Sequence, residues 1–201
     1  IVCADSDIDF AVNTASFGTF MHQGQICMCI GRVIVEESIA EEFAKRLAAK
    51  AANLPSGSPK EPSTVVGPLI NDAAVMKVDN LVKDAVSKGA KLLAGGTFEG
   101  RVYRPTVLSG VTDKMRIYHE ETFGPVASII TAKDEKDALR IANDTTYGLS
   151  AGVVTRDLSK AIFLAEGLEA GMVHVNDSPI DAESTVPFGG CKCSGQGREG
   201  G

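Results

Sequence analysis

Apolar runs of strand length alternate with segments of helical periodicity across residues 32–175, which leaves little but an α/β fold: a mostly parallel sheet flanked by helices. Val33-Ile34-Val35 makes a short buried strand over 32–36. A helix then starts at Ser38, with Glu41 as its capping-box partner and Ile39, Phe43, Leu47 and Ala51 along one face. Asn71 and Asp72 cap a helix that runs to about Lys88 and ends at Gly89. Strands are expected at 90–94, 126–131, 149–154 and 172–175, and helices at 7–21, 134–143 and 158–168. Residues 102–108 read as extended, with Pro105 suggesting a sheet edge. Four prolines (Pro55, Pro59, Pro62 and Pro68) mark 54–68 as a surface loop. No repeat and no linker divides the 201 residues, and the last 25 or so carry no long period.

Composition narrows the function. Lys and Arg total 20 against 26 Asp and Glu, so the net charge of −6 argues against a nucleic-acid partner. An apolar content of 44% is too high for disorder. No run approaches the ~18 apolar residues of a membrane span. Five cysteines without a basic, apolar leader read as reduced thiols in a cytoplasmic protein. They fall in two C-x-C pairs and a single Cys3, a spacing that does not suit structural zinc, so no metal site is expected.

The stretch from Phe20 to Cys27 carries the most chemistry. A helix runs into a glycine-containing loop, and a thiol follows just before a strand, where a rigid scaffold presents a nucleophile. Gly24 allows a sharp turn, and loop amides can face a developing oxyanion. Local spacing alone favours a plainer alternative, a buried structural cysteine.

Four segments together resemble the aldehyde dehydrogenase superfamily. Phe20, Gly24, Gln25 and Cys27 match its F-x₃-G-Q-x-C signature. Glu120-Glu121-Thr122-Phe123-Gly124-Pro125-Val126 is similar to its E-E-x-F-G-P-V segment, and Asn143, Tyr147, Gly148 and Leu149 to its N-x₃-Y-G-L segment. Pro187-Phe188-Gly189-Gly190, with Lys192, Ser194, Gly195, Gly197 and Arg198, resembles P-F-G-G-x-K-x-S-G-x-G-R. The resemblance covers essentially the whole chain and implies that residues 1–201 are the family's catalytic-domain fold.

It further implies an enzyme that oxidises an aldehyde to a carboxylic acid with NAD or NADP through a cysteine thiohemiacetal and thioester. Cys27 would be the nucleophile, with its own N–H as half of the oxyanion site. Glu121 would accept hydrogen bonds from the nicotinamide ribose, with Phe123 packed beside it. Met21, Ile26, Met28 and Phe188 would form the apolar substrate pocket. Asn176 would fix a loop, and Cys29 would be a neighbour in the loop wall. The 171–183 segment looks most like branches acting on aromatic aldehydes such as benzaldehyde or vanillin. The family usually forms dimers or tetramers. Its glutamate base and nucleotide-binding domain would precede Ile1, and its oligomerisation strand would follow Gly201, so these 201 residues alone should be inactive or very weakly active. An acylating, coenzyme A-dependent relative and a non-catalytic module remain as alternatives.

Some attractive residues are set aside. Gly195, Gly197 and Gly200 fit G-x-G-x-x-G, but no strand leads into them and no helix can follow. His22, five residues before Cys27, invites a Cys–His pair, but the family it resembles does not use one there; His119 and His174 read as surface or packing residues.

Overall fold

The computed structural model describes residues 1–181 and 183–201. In chain order the elements are α1 (Ile8–Phe20), β1 (Arg32–Glu36), α2 (Glu37–Ala52), α3 (Asp72–Ser87), β2 (Lys91–Ala94), β3 (Phe98–Glu99), β4 (Val102–Tyr103) and β5 (Thr106–Ser109). They continue with α4 (Arg116–His119), β6 (Val126–Ala132), α5 (Glu135–Asn143), β7 (Tyr147–Gly148), β8 (Ser150–Val153), α6 (Leu158–Gly167), β9 (Met172–Val175) and β10 (Cys191–Lys192).

Four strands form a sheet in the order β1-β6-β5-β2, in which only the β2–β5 pairing is antiparallel. β8 and β9 form a parallel pair. Val2 joins the two sheets by bridging in parallel to both Val35 and Val154. Its N–H donates to the Ile34 carbonyl at 2.8 Å, and the Cys3 N–H donates to the Val154 carbonyl at 3.0 Å. The first residues therefore run between β1 and β8 as a central strand.

Both faces of the sheet are covered, which is why its strands are apolar throughout. Along β6, Val126 and Ile130 pack with Val78 and Leu81 of α3, while Ala127 and Ile129 pack with Phe43 and Leu47 of α2. Burial of each large aliphatic side chain stabilises the fold by about 1.5–3 kcal/mol.

Two local expectations need correction. The capping box at Ser38 does not form: α2 begins at Glu37, and Glu36 precedes it without a side-chain cap. Glu36 already ends β1, so the chain passes from strand to helix with no loop in which Ser38 could serve as cap. Nor does Pro105 lie on an edge strand. It sits just before β5, which runs between β6 and β2, and the missing proline N–H falls outside the ladder. The 102–108 stretch is split accordingly, with Val102 and Tyr103 pairing back on β3.

Asp5 ties the start of the chain to the end of β8. Its carboxylate accepts from the Thr155 hydroxyl at 2.8 Å, the Arg156 N–H at 2.6 Å and the Asp157 N–H at 3.0 Å. Burial opposes the charge, but the Thr155 hydroxyl and Arg156 N–H outweigh it and hold the carboxyl below its ordinary range. A depressed folded-state pKa contributes stability above the unfolded value near ~4 and loses it as pH falls below that. Asp5→Ala should therefore cost about 2–3 kcal/mol at pH 7 in urea denaturation, with the gap from wild type closing below about pH 4. A gap that stayed constant down to pH 3 would show that the carboxylate charge contributes nothing.

Candidate active site

The candidate nucleophile is presented by a chain reversal at the end of α1. After Phe20 the backbone enters a tight 3₁₀ turn over Met21–Gly24, with His22, Gln23 and Gly24 all left-handed at φ 49°, 59° and 71°. Left-handed backbone is unfavourable for the two non-glycine residues and must be held by its surroundings. The Gln25 N–H closes the turn on the His22 carbonyl at 3.0 Å. A second turn follows, in which the Cys29 N–H donates to the Ile26 carbonyl at 2.9 Å, and Cys27 stands at its first corner. The Ile30 N–H then returns to the Gly18 carbonyl at 2.8 Å.

Cys27 is exposed, so the buried structural cysteine that local spacing favoured is not what the fold contains. It lines a cavity of about 440 Å³ together with Ile26, Met28, Glu121 and Phe123. Its N–H donates to no acceptor among the described residues. The other thiols differ. Burial pushes the Cys29 thiol up to about 11, and its Sγ donates to the Met21 carbonyl at 3.7 Å. Burial, reinforced by Glu36, pushes Cys3 up to about 12. Cys191 donates to the Glu169 carbonyl at 3.2 Å. Cys193 is exposed and lines the same cavity as Cys27.

Glu121 and Phe123 lie in the loop between α4 and β6. Phe123 is left-handed at φ 52° and 40% exposed. Both residues also line a smaller cavity of about 290 Å³, shared with Gln25, Ile70, Ala74 and Lys77. They therefore form a wall common to two cavities. The structure thus brings Cys27, Ile26, Met28, Glu121 and Phe123 together. It does not bring Met21 and Phe188 to the larger cavity's lining. Met21 is exposed at the start of the turn, and Phe188 is half-buried and pairs with Glu199 through its backbone.

Sequence reasoning missed Gln25 and Lys77. Gln25 stands inside the cysteine signature, where it counted only as a motif letter, and Lys77 looks like any charge on an exposed helix face. Asn176 is left-handed at φ 54°, and its side-chain oxygen accepts the Thr155 N–H at 3.0 Å, joining the ends of β9 and β8. No helix or paired strand of two or more residues forms over 195–200. Among the described residues, no cluster of three or more His, Cys, Asp or Glu side chains could hold a metal ion, and no helix is long and apolar enough to cross a membrane.

The sequence model of the aldehyde dehydrogenase family matches residues 1–201. This chain belongs to the aldehyde dehydrogenase family. Among its family relatives is a vanillin dehydrogenase from Pseudomonas fluorescens, 43% identical over 201 residues, a match covering 100% of this chain and 42% of that protein. A benzaldehyde dehydrogenase [NAD(+)] from Pseudomonas putida is 45% identical over 197 residues, covering 98% and 40% respectively. The fold matches the crystal structure of a salicylaldehyde dehydrogenase from Pseudomonas putida G7 complexed with salicylaldehyde, with a TM-score of 0.95 and 43% identity over 98% of this chain and 41% of that one. The chain thus spans about two fifths of the length of these aldehyde dehydrogenases.

Proposed function

We propose that the protein carrying this chain oxidises an aromatic aldehyde to the corresponding carboxylic acid, with NAD or NADP as cofactor and Cys27 as nucleophile. One observation carries this: an exposed thiol at the corner of a turn, opening on a cavity whose wall it shares with Glu121 and Phe123. Attack of the Cys27 sulfur on the aldehyde carbon gives a thiohemiacetal, and the unengaged Cys27 N–H is a donor for the oxygen that becomes negative. When bound, NAD(P) supplies the acceptor for the hydride that leaves this carbon. The thioester left on Cys27 is then hydrolysed by water, which restores the thiol.

Residues present here fit such a cofactor. The Glu121 carboxylate offers only acceptors, which suits a pair of ribose hydroxyls, and the exposed Phe123 ring offers an apolar face beside it. Ile26 and Met28 give the larger cavity an apolar wall, and its volume lies in the range of small-molecule sites. The vanillin, benzaldehyde and salicylaldehyde enzymes among the relatives support an aromatic substrate. We further take residues 1–201 as the catalytic domain of a longer protein, supported by the two-fifths coverage of those relatives; that this protein is a cytoplasmic homo-oligomer is proposed from the family resemblance alone.

The test compares kcat/KM of the intact protein for benzaldehyde and for propanal, with NAD⁺ and NADP⁺ in turn. A benzaldehyde preference of at least about 10-fold is expected, since an added ring in an apolar pocket is worth more than a single methylene at ~1–3 kcal/mol. An aliphatic preference would remove the aromatic assignment, and no oxidation with either cofactor would remove the whole proposal. The 201-residue chain alone should show little or no turnover; robust activity would show that it holds the complete machinery.

A further inference from the structure

We propose that Gln25 is a positioning residue for Cys27, holding the turn that carries the thiol against the segment leading into α3. The Gln25 side-chain oxygen accepts the Ile70 N–H at 3.0 Å. Gln23 makes a parallel contact: with its amide oxygen turned toward Gly67 it accepts that N–H at 2.8 Å, and its nitrogen donates to the His22 carbonyl at 3.0 Å. Two glutamines on either side of Gly24 thus grip one stretch of backbone, residues 67–70.

That stretch is a firm anchor. Leu69 is 2% exposed, and its N–H donates to the Arg101 carbonyl at 2.8 Å. The Arg101 guanidinium in turn reaches Asp72 at 2.7 Å, and Asn71 caps α3 through the Ala74 N–H at 2.8 Å. The nucleophile turn needs such an anchor, because His22 and Gln23 are both held left-handed. Behind the thiol the Ile30–Gly18 bond fixes the chain. In front of it, Gln25 is the last side-chain tie before Cys27. The Ile26–Cys29 turn is suspended between these two points. Loss of the front tie lets the sulfur drift relative to the cavity, and a misplacement of ~1 Å costs on the order of 10²-fold in rate. Gln25 acts through the turn and need not touch the reacting atoms.

This rests on Cys27 being the nucleophile. In the intact enzyme, Gln25→Met removes the acceptor at nearly constant shape, whereas Gln25→Glu keeps an acceptor for the Ile70 N–H. Gln25→Met is expected to lower kcat by about 10–100-fold, with the aldehyde KM within about 3-fold and Tm within about 2 °C of wild type. Gln25→Glu should recover most of kcat, and Gln23→Met should move kcat in the same direction as Gln25→Met by a smaller factor. The proposal is overturned by a Gln25→Met kcat within about 2-fold of wild type, by a Gln25→Glu enzyme as impaired as Gln25→Met, or by a loss of kcat that tracks a large fall in Tm. Failure of the nucleophile reading itself is seen separately, as retained activity in Cys27→Ala.

Discussion

Cys27→Ala is expected to lower aldehyde oxidation by a factor on the order of 10⁴ or more while leaving Tm within about 2 °C of wild type. The activity loss follows from removing the atom that forms the covalent intermediate. The unchanged stability follows from exposure: Cys27 sits at the corner of a turn and takes no part in the three core clusters. Limited iodoacetamide labelling of the intact protein, mapped by mass spectrometry, should mark Cys27 first. Cys3 is buried and Cys29 half-buried, with thiols pushed up to about 12 and about 11, so both stay protonated at neutral pH. Cys193 is the informative rival, because it is exposed on the same cavity. Retained turnover in Cys27→Ala, or faster labelling of Cys193, would move the chemistry to another residue.

How much of this could be read beforehand depended on the range of each interaction. Local, repeated signals were legible. Val33, Ile34 and Val35 announce a strand buried on both faces, and Asn71 sits where a helix cap belongs and does cap α3. Cys27, Ile26 and Met28 share a cavity because adjacent residues in a turn cannot lie far apart. Signals that depend on distant partners were not legible. The pairing of Tyr147 and Gly148 with Lys192 and Cys191 involves two-residue strands with no period of their own. Ser38 has the composition of a cap, yet the strand before it runs directly into the helix. Met21 and Phe188 have the right chemistry for a pocket wall, but neither is among the residues lining the larger cavity, a placement that their local sequence does not encode. Gln25 shows the same point most sharply, since its partner is a backbone N–H 45 positions away.

Gly24 is where the two halves of the site depend on each other, and Gly24→Ala should show it. Its φ of 71° already disfavours any other residue by about 1 kcal/mol. The more serious obstacle is spatial: a Cβ at position 24 would run into the Gly124 carbonyl. That carbonyl is backbone and cannot rotate away as a side chain would, so relief requires one of the two loops to shift. Either the nucleophile turn or the Glu121–Phe123 loop must move, so the thiol and the proposed ribose-binding residues lose their mutual placement. We expect a stability loss of about 2–4 kcal/mol and a kcat reduction on the order of 10²-fold. Gly57→Ala serves as the control. Gly57 is not left-handed, its Cβ would meet only the Thr64 hydroxyl at an ordinary 3.7 Å, and both quantities should stay at wild-type values. If Gly24→Ala lowered Tm but kept wild-type kcat, the contact between the two loops would serve the fold alone. Near-wild-type values of both would mean that the loops separate freely and that catalysis does not require Gly24 to rest on Gly124.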